Sequence, residues 1–495
     1  MSFVGSILTN QGALDALQSI SNTTNTNDTL EAELSSGLAI NSPADNPAGY
    51  ITAQGFTSQL NGITQAISNA NQGVSLLQTA QGALEQQVSI VQKLNSIAVQ
   101  AANGTQTSQE ETSLQNVVSQ LTSQVDTIAN QTQFNNISLL DGTFTGVQFQ
   151  VGANEGQTIS LSIASTKANK LGLNASTANF GSATVYNSKT NASSASGAVT
   201  IGTPGSAKGA FTAGTLAFTG NNGGTGSAAV AVNSSASSLA ALINAASGTT
   251  GVSAEATTTI TFAATAGSGS GATSGFSFKL AGSGGSADAQ QITAKNVTDL
   301  VAEINGKTGT TGVTASLNTA GNLVLTQING QNINITKATA GSLATTGSTP
   351  VKIGTGGSAS ATIQGQVQFQ SSDAFSLSNA ADIGLNTSST LSSISNINLT
   401  TTAGANAAIN VVKFALQGLG NAGGQLGAVE QRLQANINNL DTTSQNINAA
   451  LGVVQDANIP QVSNLLTQAQ IQAQAGVAAL KSSTTLQQSF LSLLP

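Results

Sequence analysis

The side chains able to do chemistry are few, and the missing types set the first limit. The chain has no His, no Cys and no Trp. Without imidazole or thiol there is no ordinary zinc set, no imidazole base and no thiolate nucleophile. A Ser-His-Asp triad and an HExxH metalloprotease helix are both impossible. What remains is carboxylate and amine chemistry from 20 acids and 13 bases in 495 residues. Charged residues make up 7% of the chain, against roughly 25% in an average soluble domain. We therefore expect no enzyme, no metal and no cofactor. Asp45 and Asp141 stand in the turn contexts Ala-Asp-Asn-Pro and Leu-Leu-Asp-Gly. Turn-capping accounts for them better than metal binding, since neither has a second ligand close in sequence. Arg432 is the only arginine. It reads either as an interhelical clamp to Glu85 or Glu430, or as a solvated helix charge worth little.

Charge distribution says more than total charge. The net charge of −7 argues against a nucleic-acid partner. Residues 165–400 hold nine Lys against six acids, whereas the flanks hold fourteen acids against four bases. The two flanks resemble each other and differ from the middle. Absence of Cys leaves packing or polymerisation to supply stability outside a cell. The segment MSFVGSILTNQGALDALQSI lacks a basic start and a continuous apolar stretch, so no Sec-type signal is expected there. No run approaches 18 uninterrupted apolar residues, so no membrane partner is expected either.

The elements that position these residues are mostly helices. Residues 1–40 read as helix on the apolar positions Ile7, Leu14 and Leu17 and later Leu30, Leu34 and Leu38, weakened by the polar stretch 21–29. Asn41 to Gly49, with two prolines, breaks it. Over 56–100 a seven-residue repeat runs through Leu60, Ile67, Val74, Gln81, Val88 and Asn95. A second, offset by three, runs through Ile63, Ala70, Leu77, Leu84, Val91 and Ala98. That is a heptad sustained for nearly six repeats, and a coiled-coil seam accounts for it better than an ordinary core helix. Asn103-Gly104 ends it, and a helix over about 109–131 follows. Alternating Val147, Phe149, Val151 and Ile159, Leu161, Ile163 around a Gly-containing turn predict a β-hairpin. Helix returns at about 405–420. The heptad resumes with Leu433, Leu440, Ile447 and Val454, offset against Ile437, Ser444 and Leu451. Ile459-Pro460 interrupts it before a last helix over 461–480 containing Leu465.

Residues 165–400 turn to Gly, Ser, Thr and Ala with short β-branched runs, a composition compatible with disorder. An internal repeat argues for folded modules instead. Ser238-Leu-Ala-Ala-Leu-Ile-Asn244 with Gly251-Val252 recurs as Thr298-Asp-Leu-Val-Ala-Glu-Ile-Asn305 with Gly312-Val313. Each copy, near 236–265 and 297–337, reads as a short helix, a Gly turn and strands. The expected class is α+β: N- and C-terminal helices paired as a coiled-coil-like stalk with a β-hairpin, plus a central strand-rich insertion. The expected domains are 1–45 with 455–495, then 46–165 with 395–454, then the insert 166–394.

An ordered set of motifs resembles bacterial flagellin. At the N-terminal side these are Ile7-Leu-Thr-Asn-Gln11, Leu34-Ser-Ser-Gly-Leu38, Gln100-Ala-Ala-Asn-Gly-Thr105, Asn130-Gln-Thr-Gln-Phe-Asn135 and Phe149-Gln-Val-Gly-Ala-Asn154. Towards the C-terminus come Leu399-Thr-Thr-Thr402, Leu426-Gly-Ala-Val429, Gln431-Arg432 and Ala469-Gln-Ile-Gln-Ala-Gln-Ala-Gly476. The repeat resembles the IN module of flagellin inserts. The resemblance covers about 1–165 and 395–495. It implies a subunit of the flagellar filament, secreted through a type III channel, with copies of itself, hook-associated and cap proteins and an export chaperone as partners. Open helical polymers arise from heterologous contacts that never close into a ring. The seam residues named above are then the expected assembly residues. A hook–filament junction protein and a surface adhesin are the alternatives. The resemblance also places an innate-immune receptor site on the long helix and its neighbour. Lys93, Ile97 and Val117 occupy the matching positions here, where the family pattern has Arg, a Leu-rich stretch and Glu. Loss of a planar donor and of an acid implies weak recognition. Two departures from the family pattern stand out: Pro495 replaces the usual final Arg, and Val454 to Pro460 is poor in acids.

Overall fold

The computed structural model describes residues 10–178, 182–185, 199–202, 214–220, 223–230, 235–268, 274–282, 289–345, 352–354, 361–363, 365–378 and 388–491. Ile7 lies outside the described residues. By contacts the chain divides into two units. The first comprises Met1–Thr79, Phe144–Ser162 and Gln425–Pro495, the second Ala80–Thr143 and Ile163–Gly424.

In the first unit the N-terminal helix α1 (Gln11–Ser36) packs along the last helix α9 (Ile459–Leu491). Asn10 caps α1 through its side-chain oxygen, which accepts from Ala13 N at 3.0 Å. The Thr-rich middle stays helical because Thr23, Thr24, Thr26 and Thr29 return their hydroxyls to carbonyls four residues back. Gly37, at φ 75°, ends the helix in the left-handed region. Across the junction the chain pairs with itself: Ala39 N donates to Gln455 O and Ala457 N to Gly37 O. Asn458 caps α9, placing Ile459-Pro460 in its first turn, where the absent proline N–H costs nothing. The heptad interruption is thus a helix start.

The predicted break at 41–49 is a turn held by Asp45, whose carboxylate accepts from Ser42 N at 2.8 Å and Asn41 N at 2.9 Å. Those backbone donors keep its pKa below the ordinary value. Asn46 then caps α2 (Pro47–Ala101, 55 residues), accepting from Gly49 N, with Pro47 in the first helical position. The helix α8 (Thr402–Gln455, 54 residues) is also unbroken. The helices expected at about 405–420 and from Leu433 are thus one, joined through Gly418, Gly420, Gly423, Gly424 and Gly427, each costing up to about 1 kcal/mol in a helix. The seam on α8 explains continuity: the Leu433 position extends back seven residues at a time through Leu426, Leu419, Val412 and Ala405, all buried.

The hairpin forms as predicted, Val147–Gln150 pairing antiparallel with Thr158–Leu161. In the second unit α3 (Ser108–Gln131) begins with a reciprocal cap between Thr107 and Glu110. The central region is strand-rich and carries both repeats. The first has α4 (Ala236–Ala245) and the single turn α5 (Ser247–Thr250); the second has α6 (Val297–Gly306) and the turn α7 (Thr308–Thr311). In each copy the repeat Asn clamps the strand ten residues on. Asn244 Nδ2 donates to Ala254 O while Ala254 N donates to Asn244 Oδ1; Asn305 does the same with Ala315. Gly251 and Gly312 both sit at φ 67°, a conformation open to glycine at no steric cost. One long strand, Ser253–Thr265, serves both modules. Its first half pairs with Gln366–Ser371 and its second with Leu323–Gln327 and Ser342–Thr345. A core around Phe218, Leu239, Ile243 and Phe369 fills the first module, and one around Phe262, Phe278, Ile304 and Leu325 fills the second.

Candidate functional site

The seam residues differ in how far a single chain covers them. On α2 the period is as read and the phase of one stripe is not. Ile63, Ala70, Leu77, Leu84, Val91 and Ala98 are all buried. The second buried stripe runs through Ala66, Gly73, Ala80, Gln87, Leu94 and Ala101, one residue before the expected positions. Leu60, Ile67, Val74, Gln81, Val88 and Asn95 are instead half-buried. Small side chains occupy the deepest line because they let another backbone or side chain approach. A Cβ on Gly73 would stand 3.1 Å from Leu433 and 3.4 Å from the Phe149 ring. Large residues one step round then flank the contact, which a hydrophobicity count scores above Ala and Gly.

Gln87 is the polar member of this line. Fully buried, it donates from Nε2 to Val125 O at 3.1 Å and to Thr166 O at 3.4 Å, tying α2 to α3 and to the chain beyond the hairpin. Gln115 does a similar task on α3, donating to Ile397 O and accepting from Leu399 N at 2.7 Å. Neither was singled out from sequence; for Gln87 its place at heptad spacing from Ala80 and Leu94 was the available signal. Asp141 accepts from the Thr143 hydroxyl at 2.6 Å and the Thr143 amide at 2.9 Å, and these bonds hold its pKa down. It caps a turn.

On α8, Leu433 and Ile437 are buried, while Leu440, Ile447, Leu451 and Val454 are only half-covered and Val453 is 88% exposed. Over the same stretch an open groove of about 690 Å3 lies beside the hairpin, lined by Ile63, Val151, Ile159, Arg432, Asn436 and Leu440 among others. Arg432 is exposed at its rim, and Glu430 accepts a hydrogen bond from Gln78 Nε2 at 3.1 Å. The α1–α9 pair is barer still. Its buried cluster is Leu30, Val462 and Ala469. Leu14 and Leu17 are about half exposed, as are Leu465, Val477 and Leu486. Of the receptor-related positions, Lys93 on α2 and Val117 on α3 are exposed, whereas Ile97 is buried in the α2 seam.

No helix among the described residues is long and apolar enough to cross a membrane.

Comparison with known proteins agrees with this arrangement. The bacterial flagellin N-terminal helical region matches residues 7–145, and the bacterial flagellin C-terminal helical region matches 409–494. The flagellin hook IN motif matches 276–329. That range takes in most of the second repeat, with Asn305 and Gly312; the first carries the same Asn clamp and left-handed Gly. B-type flagellin of Pseudomonas aeruginosa is 30% identical over 98% of this chain and 99% of its own length. Flagellin A of Helicobacter pylori is 30% identical over 98% of this chain and 99% of its own length. Among solved structures, FliC from Burkholderia pseudomallei overlaps at a TM-score of 0.30 and 21% identity, covering 73% of this chain and 99% of that one, too slight an overlap to add weight. Similarity that runs through nearly the whole of two flagellins, with their terminal helical regions matched at both ends, means that this chain belongs to the bacterial flagellin family.

Proposed function

We propose that this flagellin, a structural subunit of the bacterial flagellar filament, joins its neighbours through the apolar faces that one chain leaves open on α1, α9 and the second half of α8. The observation that carries the reading is the exposure of Leu14, Leu17, Leu465, Val477 and Leu486 along paired helices whose own buried cluster, among the described residues, is Leu30, Val462 and Ala469. Helices with so little covered surface do not offset their ordering entropy alone. Beside identical copies the same faces gain apolar burial, and folding is coupled to assembly. Residues 1–45 and 455–495 then form the filament core, 46–165 and 395–454 the next shell, and 166–394 the solvent-facing layer. The seam residues on α2 and α8 support the subunit within that shell, and Arg432 stands exposed on the rim of the groove. An export chaperone and cap or hook-associated proteins complete the partners, and the chain acts outside the cell.

Electron microscopy of purified protein seeded with short filament fragments tests this, beside a truncation lacking residues 1–40. Long filaments from the full chain and none from the truncation are expected. A full chain that stays monomeric with seeds present moves the junction-protein or adhesin reading ahead. At the receptor-related positions, Lys93 in place of Arg and Val117 in place of Glu support weak or absent activation of the vertebrate flagellin receptor. Strong signalling by purified monomer in a reporter-cell assay overturns that.

A further inference from the structure

Among the residues not absorbed by assembly are the Asn-Gly pairs, the sequence most prone to lose an amide without an enzyme. There are five: Asn61-Gly62, Asn103-Gly104, Asn222-Gly223, Asn305-Gly306 and Asn329-Gly330. Asn222 lies outside the described residues. The reaction needs the glycine amide nitrogen to reach the Asn Cγ, so a nitrogen held in a hydrogen bond or a side chain held elsewhere is a poor participant. Asn61-Gly62 is inside α2, where each amide donates along the helix. Asn305-Gly306 is inside α6, and both polar atoms of the Asn305 side chain are engaged by Ala315. Gly330 donates its amide to Gln327 O at 3.3 Å and is buried. Asn103-Gly104 differs on every count. It lies in the turn between α2 and α3 and both residues are exposed. Among the described residues nothing accepts from the Gly104 amide and nothing holds the Asn103 side chain.

We propose that Asn103 is an intrinsic deamidation site, selected over the other described Asn-Gly pairs by the fold. The Gly104 nitrogen, losing its proton to water or hydroxide, bonds to Asn103 Cγ, and the Cγ–Nδ2 bond breaks with release of ammonia. Water then opens the cyclic imide at either carbonyl to give aspartate or isoaspartate. No oxidant or reductant is involved, and the rate rises with pH because the amide must lose its proton. The product adds one negative charge to a turn four residues before the Thr107 cap of α3.

The test is incubation of the folded protein at mildly alkaline pH, proteolysis, and mass-spectrometric measurement of each Asn-Gly peptide over time. A parallel sample is held in denaturant. In the folded protein Asn103 should convert at least about tenfold faster than Asn61 and Asn305, which react only through local opening. In denaturant these three sites should converge. The variant Gly104→Ala should slow conversion at Asn103 and leave Asn329 unchanged. It keeps the fold, because a Cβ there meets open space and the backbone is outside the left-handed region. Equal rates at Asn103, Asn61 and Asn305 in the folded protein overturn the proposal, and so does the same ranking persisting in denaturant.

Discussion

The terminal helix pair and the second central module are built on opposite terms. In α1 and α9 the buried cluster among the described residues is Leu30, Val462 and Ala469, with Ala457 and Leu466 at its edge. The module around Phe278 buries eighteen residues in one cluster, including three phenylalanines and six isoleucines. The module has a core that can stabilise it within one chain. The helix pair instead leaves its large apolar residues about half uncovered. Under the proposed assembly the difference separates two ways a segment reaches a stable fold: by burying its own surface, or by offering it to copies of itself. A polymer subunit needs both, since a terminus satisfied within its own chain has no reason to bind the next one.

Variants that remove one kind of stability and spare the other can break this contrast. The largest effect is expected at the open face. Leu14→Ser with Leu17→Ser should abolish seeded elongation, read by electron microscopy, with the thermal transition of the central region unchanged. Loss of that transition as well would mean the pair supports the module. Next is Phe278→Ala at a site 2% exposed, expected to cost about 3–5 kcal/mol in denaturant unfolding of the module while seeded elongation persists. Asn305→Ala leaves the Ala315 amide and carbonyl unpaired, and about 2–3 kcal/mol of module stability should go with it. Asn244→Ala should cost a similar amount in the first module, and unequal costs would show that the two clamps are not equivalent. Gly251→Ala should cost about 1–2 kcal/mol for the left-handed backbone alone. Gly312→Ala should cost somewhat more, since its Cβ meets Gln327 Nε2 at 3.2 Å. Smallest is the pH effect at the α3 cap. Backbone and hydroxyl bonds from Thr107 lower the Glu110 pKa from 4.5. A depressed acid stabilises the fold fully above its unfolded pKa and loses that contribution as pH falls through the folded value. Helix fraying at 107–111, followed by amide exchange, should therefore rise on acidification below the ordinary glutamate range, and Glu110→Gln should remove the dependence.

Much of the architecture was legible because its signals are local. The heptads on α2 and α8, the alternation in the hairpin, the turn at Asp45 and the repeated Ile-Asn with Gly-Val each depend on residues a few positions apart. The continuity of α8 across its glycines was not legible, because propensity in isolation counts against them while the buried seam from Ala405 to Leu433 favours the helix. Of the candidate assembly residues, Leu433 and Ile437 are covered within one chain, and Leu14, Leu17 and Leu465 are open. Apolar periodicity names a face without saying whether it is covered by the same chain.

By itself the sequence determined that this is a helix–β–helix chain without imidazole or thiol chemistry, and it determined the heptad period of α2 and of the second half of α8. Those follow from residue types and from spacings along one strand of covalent bonds. Only the tertiary structure decided the phase of the α2 seam, where Ala66, Gly73 and Ala80 rather than Ile67 and Val74 take the deepest line. Only it decided that Asn244 and Asn305 hold strands and that Gln87 donates to the carbonyls of Val125 and Thr166. The physical reason is that depth in a contact depends on how closely the partner approaches, and a small residue earns its place through what sits opposite it.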